Sequence, residues 1–322
     1  MNPESPEHEP LDRATVFFHS DLDDPVQWKA TLAAALPQVQ FIAGPACEAP
    51  EQVDIALVWT QPPQGLDAFP NLRAVLSLGA GVDQLQLERL DPRIPVARLV
   101  DPTLTARMVE YCKAAVFHFH RDFHLHRQHQ QERRWKFMPP VGAGDRRILV
   151  LGQGELGAAV AASLAAEGFA VSGWSRSPKQ LPGVRSLCGN GVLPPAVGES
   201  DVIINLLPLT PDTRGLLDAR FFSWCKPGSC LVNVGRGAHL NEADLLDALD
   251  QGRIAAGFLD VFVQEPLPPG HPFWARPQLH VTPHVASLSD PVESAATVID
   301  NIRRSMQGLP LLLHAIGRGR GY

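Results

Sequence analysis

An unbroken apolar run, Ile148-Leu149-Val150-Leu151, passes directly into Gly152-Gln153-Gly154-Glu155-Leu156-Gly157 and then into an alanine-rich stretch from Ala158 to Ala166. This order of strand, G-x-G-x-x-G turn and helix constrains the chain more than any other feature, because it is the βα unit that holds a dinucleotide pyrophosphate. Gly152 permits the tight turn, Gly154 keeps a Cβ away from approaching phosphates, and Gly157 lets the helix lie close to the strand. The free amides at the helix start, around Glu155 and Leu156, face the anion.

The following strand, Ala170-Val171-Ser172-Gly173-Trp174, ends in Ser175-Arg176-Ser177-Pro178-Lys179. An NAD-selective site places a carboxylate there to bind the ribose hydroxyls, and none is present. Two hydroxyls, a guanidinium and an ammonium instead suit a 2′-phosphate, which Arg grips with a fork of donors. The expected cofactor is therefore NADPH, with NADH less favoured.

At 322 residues the chain accommodates two domains of ordinary size. Its net charge of −6 argues against a nucleic-acid partner. The acidic, proline-rich start from Met1 to Pro10 reads as a frayed tail with no apolar core of a signal peptide, and no window suits a membrane span. Cys47, Cys112, Cys188, Cys225 and Cys230 show no C-x-x-C spacing and read as small buried hydrophobes in a reducing, cytoplasmic setting.

Short apolar strands alternate with helices from Thr15 onward, the pattern of α/β units with parallel sheets. The first half carries strands near 16–18, 39–42, 55–59 and 74–78, and in place of a glycine fingerprint it has the short turn Leu78-Gly79-Ala80-Gly81-Val82-Asp83. One long helical stretch from Pro102 to Arg134 leads through a Pro- and Gly-rich connection into strands expected at 148–151, 170–174, 202–207, 231–235, 255–261 and 279–282. A last helix from Pro291 to Gln307 is expected to return to the first unit. The division is thus 1–101 plus 288–322 as substrate domain and 102–287 as dinucleotide-binding domain.

The segment from Phe117 to His129 is rich in histidine. Residues two apart point to different helix faces, only His120 and His124 share an i, i+4 face, and no third ligand stands beside them, so no metal site is expected. The segment reads as a helix with a wet histidine face and Val116, Phe119 and Phe123 packed inward.

Hydride chemistry on an anionic substrate needs a cation, a proton donor and a group that tunes the donor. Three strand ends offer them: Val234-Gly235-Arg236-Gly237 presents Arg236, Asp260-Val261-Phe262-Val263-Gln264-Glu265-Pro266 presents Glu265, and Thr282-Pro283-His284 presents His284. The carboxyl ends of strands are where open α/β sheets bind ligands.

These blocks, with Asn241-Glu242-Ala243-Asp244-Leu245-Leu246 and His271-Pro272-Phe273-Trp274, resemble the signatures of the D-isomer-specific 2-hydroxyacid dehydrogenases. Val58-Trp59, the Ser-Arg-Ser stretch and the terminal Arg-Gly-Tyr most resemble the bacterial A type of glyoxylate/hydroxypyruvate reductases within that family. The resemblance implies two Rossmann/flavodoxin-like domains with the active site in the cleft between them. It also implies that His284 gives a proton to the keto oxygen, that Glu265 orients its imidazole, and that Arg236 clamps the substrate carboxylate. Gly79, Ala80 and Gly81 would offer amides to that carboxylate, and Trp59 would limit substrate size.

Further cofactor contacts implied by the resemblance are Leu207, Pro208 and Thr213, Val234 and Gly235 at the nicotinamide ribose, Asp260 at the carboxamide, and Ala286 and Ser287 beyond His284. A homodimer is implied too, with Trp135 a candidate to reach the neighbour. The expected reaction is reduction of glyoxylate or hydroxypyruvate. Alternatives are a reductase for a bulkier 2-keto acid, a dinucleotide-sensing corepressor-like protein of the same fold, and an S-adenosylmethionine enzyme sharing the glycine turn.

Overall fold

Runs of apolar residues without polar alternation form strands buried on both faces, as a parallel sheet covered by helices requires. Every residue of Ile55–Val58 and of Ala74–Ser77 is buried, for example. The computed structural model describes residues 9–99 and 102–311, so the expected N-terminal tail up to residue 8 and the tail ending Arg318 to Tyr322 lie outside the described residues. The chain divides into two compact units, Met1–Leu104 with Leu288–Tyr322, and Thr105–Ser287.

The first unit contains β1 (Ala14–His19), α1 (Pro25–Ala35), β2 (Val39–Ala43), β3 (Ile55–Val58), β4 (Ala74–Ser77) and β5 (Val96–Ala97). Its parallel sheet runs in the order β2-β1-β3-β4-β5. Asp24 starts α1 by accepting the Val26 amide, with Pro25 at the first helical position.

α2 (Pro102–His120) carries the chain from the first unit into the second, followed by α3 (Phe123–Gln131), β6 (Arg147–Leu151), α4 (Glu155–Ala166), β7 (Ala170–Ser175) and β8 (Val184–Cys188). Next come α5 (Leu193–Glu199), β9 (Val202–Asn205), α6 (Ala219–Trp224), β10 (Ser229–Asn233), α7 (Glu242–Asp250), β11 (Ile254–Leu259) and β12 (Leu279–Val281). The parallel sheet order β12-β11-β10-β9-β6-β7-β8 changes direction between β6 and β9, the switch point where such sheets bind dinucleotides. The last helix, α8 (Pro291–Met306), returns to the first unit, where Val298, Ile302 and Met306 share a core cluster with Val16, Trp28 and Leu32.

Several expectations need correction. Strands expected to reach 207, 235 and 261 stop at Asn205, Asn233 and Leu259, because the residues beyond them turn away to build loops. β8 was hidden by the charged and polar residues of its edge position. The single helix expected over 102–134 is two helices, broken where Asp122 takes a left-handed φ of 54° and pairs with Arg146 at 3.0 Å.

That break separates His120 from His124, so they share no helix face. Val116 and Phe119 are buried as expected, whereas Phe123 is exposed. The histidine face is wet only in part: His126 is exposed, whereas His118 Nε2, His120 Nδ1 and His124 Nδ1 are enclosed without a hydrogen-bond partner. The His118 ring lies edge-on to His280 at 4.6 Å, and Phe258 stacks on His280 at 4.3 Å. Burial pushes both His124 and His280 down to about 4.

A cavity of about 250 Å³, lined by His120, Asp122, His124, Arg146, Phe169 and Cys230 among others, sits at the amino end of this sheet. Among the described residues no group of three or more His, Cys, Asp or Glu could hold a metal ion, and no helix is long and apolar enough to cross a membrane. Cys112, Cys225 and Cys230 are buried, with burial raising the thiols of Cys225 and Cys230 to about 12. Cys188, expected to be buried, is exposed on the edge strand β8.

Candidate active site

β10, β11 and β12 are adjacent parallel strands, so the chain leaving each of them emerges at the same edge of the sheet. Arg236, Glu265 and His284 follow these three ends in turn. Glu265 Oε2 lies 2.7 Å from His284 Nδ1, and Glu265 Oε1 accepts the Phe262 amide at 2.8 Å. Burial works to raise the Glu265 pKa, but the hydrogen bonds from His284 and Phe262 and the nearby Arg236 charge outweigh it and hold the carboxyl below its ordinary value. A carboxylate so held fixes the imidazole through Nδ1 and leaves Nε2 as the nitrogen able to exchange a proton.

His284 has a φ of 55°, a conformation that costs a non-glycine residue free energy and persists only where its surroundings impose it. Asp260 imposes it. Its carbonyl accepts the His284 amide at 2.9 Å, and its buried carboxylate accepts the Val285 amide at 2.8 Å, the Ala286 amide at 2.9 Å and the Thr282 hydroxyl at 2.6 Å. Tyr111 on α2 adds a 2.6 Å bond between its hydroxyl and that of Thr282. Asp260 was expected at a nicotinamide carboxamide, and any such contact would have to share oxygens that already hold the His284 turn.

In the first unit, Trp59 and the Gly79–Gly81 loop leave β3 and β4, which are neighbours. The Gly79 amide points at Ser77 Oγ at 3.2 Å, so it is not directed outward as expected. The Ser77 hydroxyl in turn lies 3.2 Å from the carbonyls of Gly79 and Gly81. Gln84, which the sequence reading passed over, donates from Nε2 to the main-chain carbonyls of Trp59 at 2.9 Å and Gly81 at 3.2 Å, tying the Trp59 backbone to the loop. Ala80 and Gly81 are half-buried and keep the carboxylate-binding expectation.

The glycine turn fits a dinucleotide. Gly152 has a φ of 96°, and a Cβ there would meet the Leu206 carbonyl oxygen at 2.6 Å. A Cβ on Gly157 would stand 1.9 Å from the Gly152 carbonyl oxygen, whereas one on Gly154 would meet nothing within 4 Å. Two glycines are therefore required by packing, and the middle one faces open space where phosphate oxygens fit between the turn and the first amides of α4. Ser175 ends β7 with its hydroxyl on the Ser177 carbonyl at 2.7 Å, and Arg176, Ser177 and Lys179 are exposed beyond it. Thr213 Oγ1 donates to the Pro208 carbonyl at 2.7 Å and so closes the loop after β9 that carries Leu207. Ala286 is buried, Ser287 half-buried.

Residues 113–286 match the family described as D-isomer specific 2-hydroxyacid dehydrogenase, NAD binding domain. The chain belongs to this family. It is 40% identical over 299 residues, 91% of this chain and 95% of the relative, to the glyoxylate/hydroxypyruvate reductase A of Photorhabdus laumondii. The Yersinia enterocolitica protein of the same name is 38% identical over 302 residues, again 91% of this chain and 95% of the relative. Among solved structures, a D-isomer specific 2-hydroxyacid dehydrogenase from Xanthobacter autotrophicus in complex with NADPH and MES matches with a TM-score of 0.89 and 41% identity, covering 96% of this chain and 100% of that one. An NADPH-dependent glyoxylate/hydroxypyruvate reductase from Sinorhizobium meliloti, in complex with NADP and sulfate, matches with a TM-score of 0.85 and 34% identity, covering 96% of this chain and 100% of that one.

In this 2-hydroxyacid dehydrogenase, the second glycine of the Gly-Arg-Gly block has a packing reason: a Cβ on Gly237 would lie 1.9 Å from the carbonyl carbon of Phe262, the residue whose amide holds Glu265. His271 Nε2 meets Glu242 Oε2 at 3.1 Å while Glu242 Oε1 accepts the Val263 amide at 3.3 Å, which braces the same loop. The sequence reading missed Asn205, Asn233 and His239, all fully buried beside Arg236. The signal was present: Asn205 and Asn233 each close an apolar strand, where an amide has to find partners inside the protein.

Proposed function

We propose that this dehydrogenase reduces small 2-keto acids with NADPH, taking glyoxylate to glycolate and hydroxypyruvate to D-glycerate. The observation that carries the reading is the 2.7 Å contact between Glu265 and His284 beside Arg236. A dehydrogenase working on a keto acid must hold a carboxylate and protonate a developing alkoxide, and these groups do both. When bound, NADPH supplies the hydride to the keto carbon.

Arg236 forks onto the carboxylate and keto oxygen of the substrate, with the amides of Ala80 and Gly81 taking the remaining carboxylate oxygen. His284 Nε2 releases its proton to the keto oxygen, and the ionised Glu265 balances the imidazolium until that moment. Trp59 restricts the pocket to small side chains. The glycine turn with Glu155 and Leu156 takes the pyrophosphate. Ser175, Arg176, Ser177 and Lys179 take the 2′-phosphate, as the NADPH and NADP carried by the Xanthobacter and Sinorhizobium proteins would lead one to expect. Leu207, Pro208, Thr213, Val234, Gly235, Ala286 and Ser287 flank the nicotinamide half.

The protein acts as a homodimer in the cytoplasm. Support for the dimer comes from the segment after α3, where Trp135 is 102% and Phe137 80% exposed, aromatic residues of the kind enriched at protein interfaces. The decisive experiment measures NADPH oxidation against glyoxylate, hydroxypyruvate, pyruvate, phenylpyruvate and 2-ketoisocaproate. The reading requires glyoxylate and hydroxypyruvate to rank first, and no turnover with any of the five would reject it.

A further inference from the structure

His239 lies on the three-residue turn that follows Arg236 and is 0% exposed, yet both of its ring nitrogens are engaged. Nε2 is 3.2 Å from the Pro208 carbonyl, an acceptor only, so Nε2 carries the proton. Nδ1 is then a lone-pair acceptor, and two donors converge on it: the backbone amide of Arg236 at 3.2 Å and Asn205 Nδ2 at 3.0 Å. A second ring proton would face two N–H groups, so the neutral Nε2–H tautomer is the one this site selects.

The amides beneath it complete the arrangement. Asn205 spends its other N–H on Asn233 Oδ1 at 2.9 Å, and its own Oδ1 accepts the Leu207 amide at 3.3 Å. Asn233 Nδ2 reaches the Arg236 carbonyl at 3.4 Å. Both peptide groups of Arg236 are thus held from below. A Cβ on Gly235 would stand 3.0 Å from Asn205 Nδ2, 3.1 Å from the Leu207 carbonyl oxygen and 3.2 Å from His239 Nδ1, so the first glycine of the Gly-Arg-Gly block makes room for this network.

We propose that His239 is a positioning residue that ties the Leu207–Pro208 loop to the backbone of Arg236, so that the cofactor loop and the substrate clamp are set by one imidazole. The proposal rests on the reading of Arg236 and of that loop given above. It has two separable halves because the two ring nitrogens serve different partners. Asparagine at this position keeps an acceptor where Nδ1 stands and loses the donor to Pro208. Glutamine places an N–H where Nε2–H stands and loses the acceptor, and phenylalanine keeps the shape and loses both.

The test measures the NADPH dissociation constant by cofactor fluorescence and the binding of oxalate to the NADPH complex, together with kcat and KM, in wild type, His239→Asn, His239→Gln and His239→Phe. Expected are NADPH binding weakened about tenfold in the Asn and Phe variants and near wild type in Gln, and oxalate binding weakened about tenfold in Gln and Phe and near wild type in Asn. A merely structural histidine would lower Tm and the active fraction, and hence kcat, in all three while leaving both binding constants and KM unchanged. That outcome, or wild-type binding in the phenylalanine variant, would overturn the proposal. Wild-type protein that binds NADPH and oxalate but reduces no keto acid would instead overturn the proposed reaction, and the two binding constants would still decide the role of His239.

Discussion

Trp59 lies against Gly79 so closely that a Cβ on the glycine would stand 2.2 Å from ring carbon Cζ3. The Trp59 backbone is fixed beside the loop, since Gln84 Nε2 donates to the main-chain carbonyls of both Trp59 and Gly81. Gly79→Ala should therefore displace the ring and the substrate loop together, raising KM for glyoxylate about tenfold or more with NADPH binding unchanged. Trp59→Ala should shift the ratio of kcat/KM for phenylpyruvate over glyoxylate upward by about tenfold, because the wall that excludes the larger acid is gone. An unchanged ratio would remove Trp59 from the substrate pocket.

Glu265→Gln keeps a side chain of the same shape beside His284 Nδ1 but removes the charge. We expect kcat to fall about a hundredfold. The loss of rate that wild type shows in acid as Glu265 takes up a proton should also be absent, since the variant has no carboxyl there. In wild type the reduced Glu265 pKa means that the ion pair survives mild acid and is lost only as pH falls below the ordinary carboxylate range. A rate profile of Glu265→Gln that superposes on wild type would count against the pair.

Asp260→Asn presents an amide to at least one of the Val285 and Ala286 N–H groups that the carboxylate now receives. The left-handed turn at His284 loses its support, and kcat should drop by about two orders of magnitude with oxalate binding at Arg236 nearly intact. Equal loss in both measurements would point to general unfolding of the unit instead.

Arg176→Ala should weaken NADPH binding by about tenfold to a hundredfold and leave NADH binding within about threefold of wild type. Dissociation constants for the two cofactors, measured side by side, check this. A variant with an undiminished preference for NADPH would assign the 2′-phosphate to other groups.

His118, His124 and His280 fold as neutral rings, with burial lowering all three and bringing His124 and His280 to about 4. Unfolded, they bind protons near pH 6.5, so their stabilisation is complete above that value and is lost as pH falls toward 4. Between pH 7 and pH 4.5 the Tm of the second unit should fall by roughly 5 °C beyond any baseline change, and His124→Phe should flatten the profile. A Tm independent of pH over that range would show that the cluster opens to water.

Much of the site was legible in the sequence because it lies at strand ends. An apolar run of fixed length followed by Gly-x-Gly, Gly-Arg-Gly or Thr-Pro-His defines both the strand and the point where its chain turns outward, so Gly152, Arg236 and His284 could be placed without coordinates. The break at Asp122 was not legible, because the Arg146 guanidinium that Asp122 meets there stands 24 residues away in the chain. His118, before the break, looks solvated in a helical projection and becomes enclosed only when Phe258 and His280 are packed beside it.

The sequence by itself determined the two parallel-sheet units, the dinucleotide turn and the residue types that carry the chemistry, since these follow from hydrophobic runs and local backbone requirements. Only the tertiary structure decided which nitrogen of His284 meets Glu265, which nitrogen of His239 meets Pro208, and why His284 adopts a left-handed turn. It also decided why Arg236 is flanked by glycines: Gly235 faces Asn205 and His239, while Gly237 faces Phe262. The physical reason is that a hydrogen bond depends on direction and a close contact on distance. Both are set by residues that meet through strand order rather than along the chain.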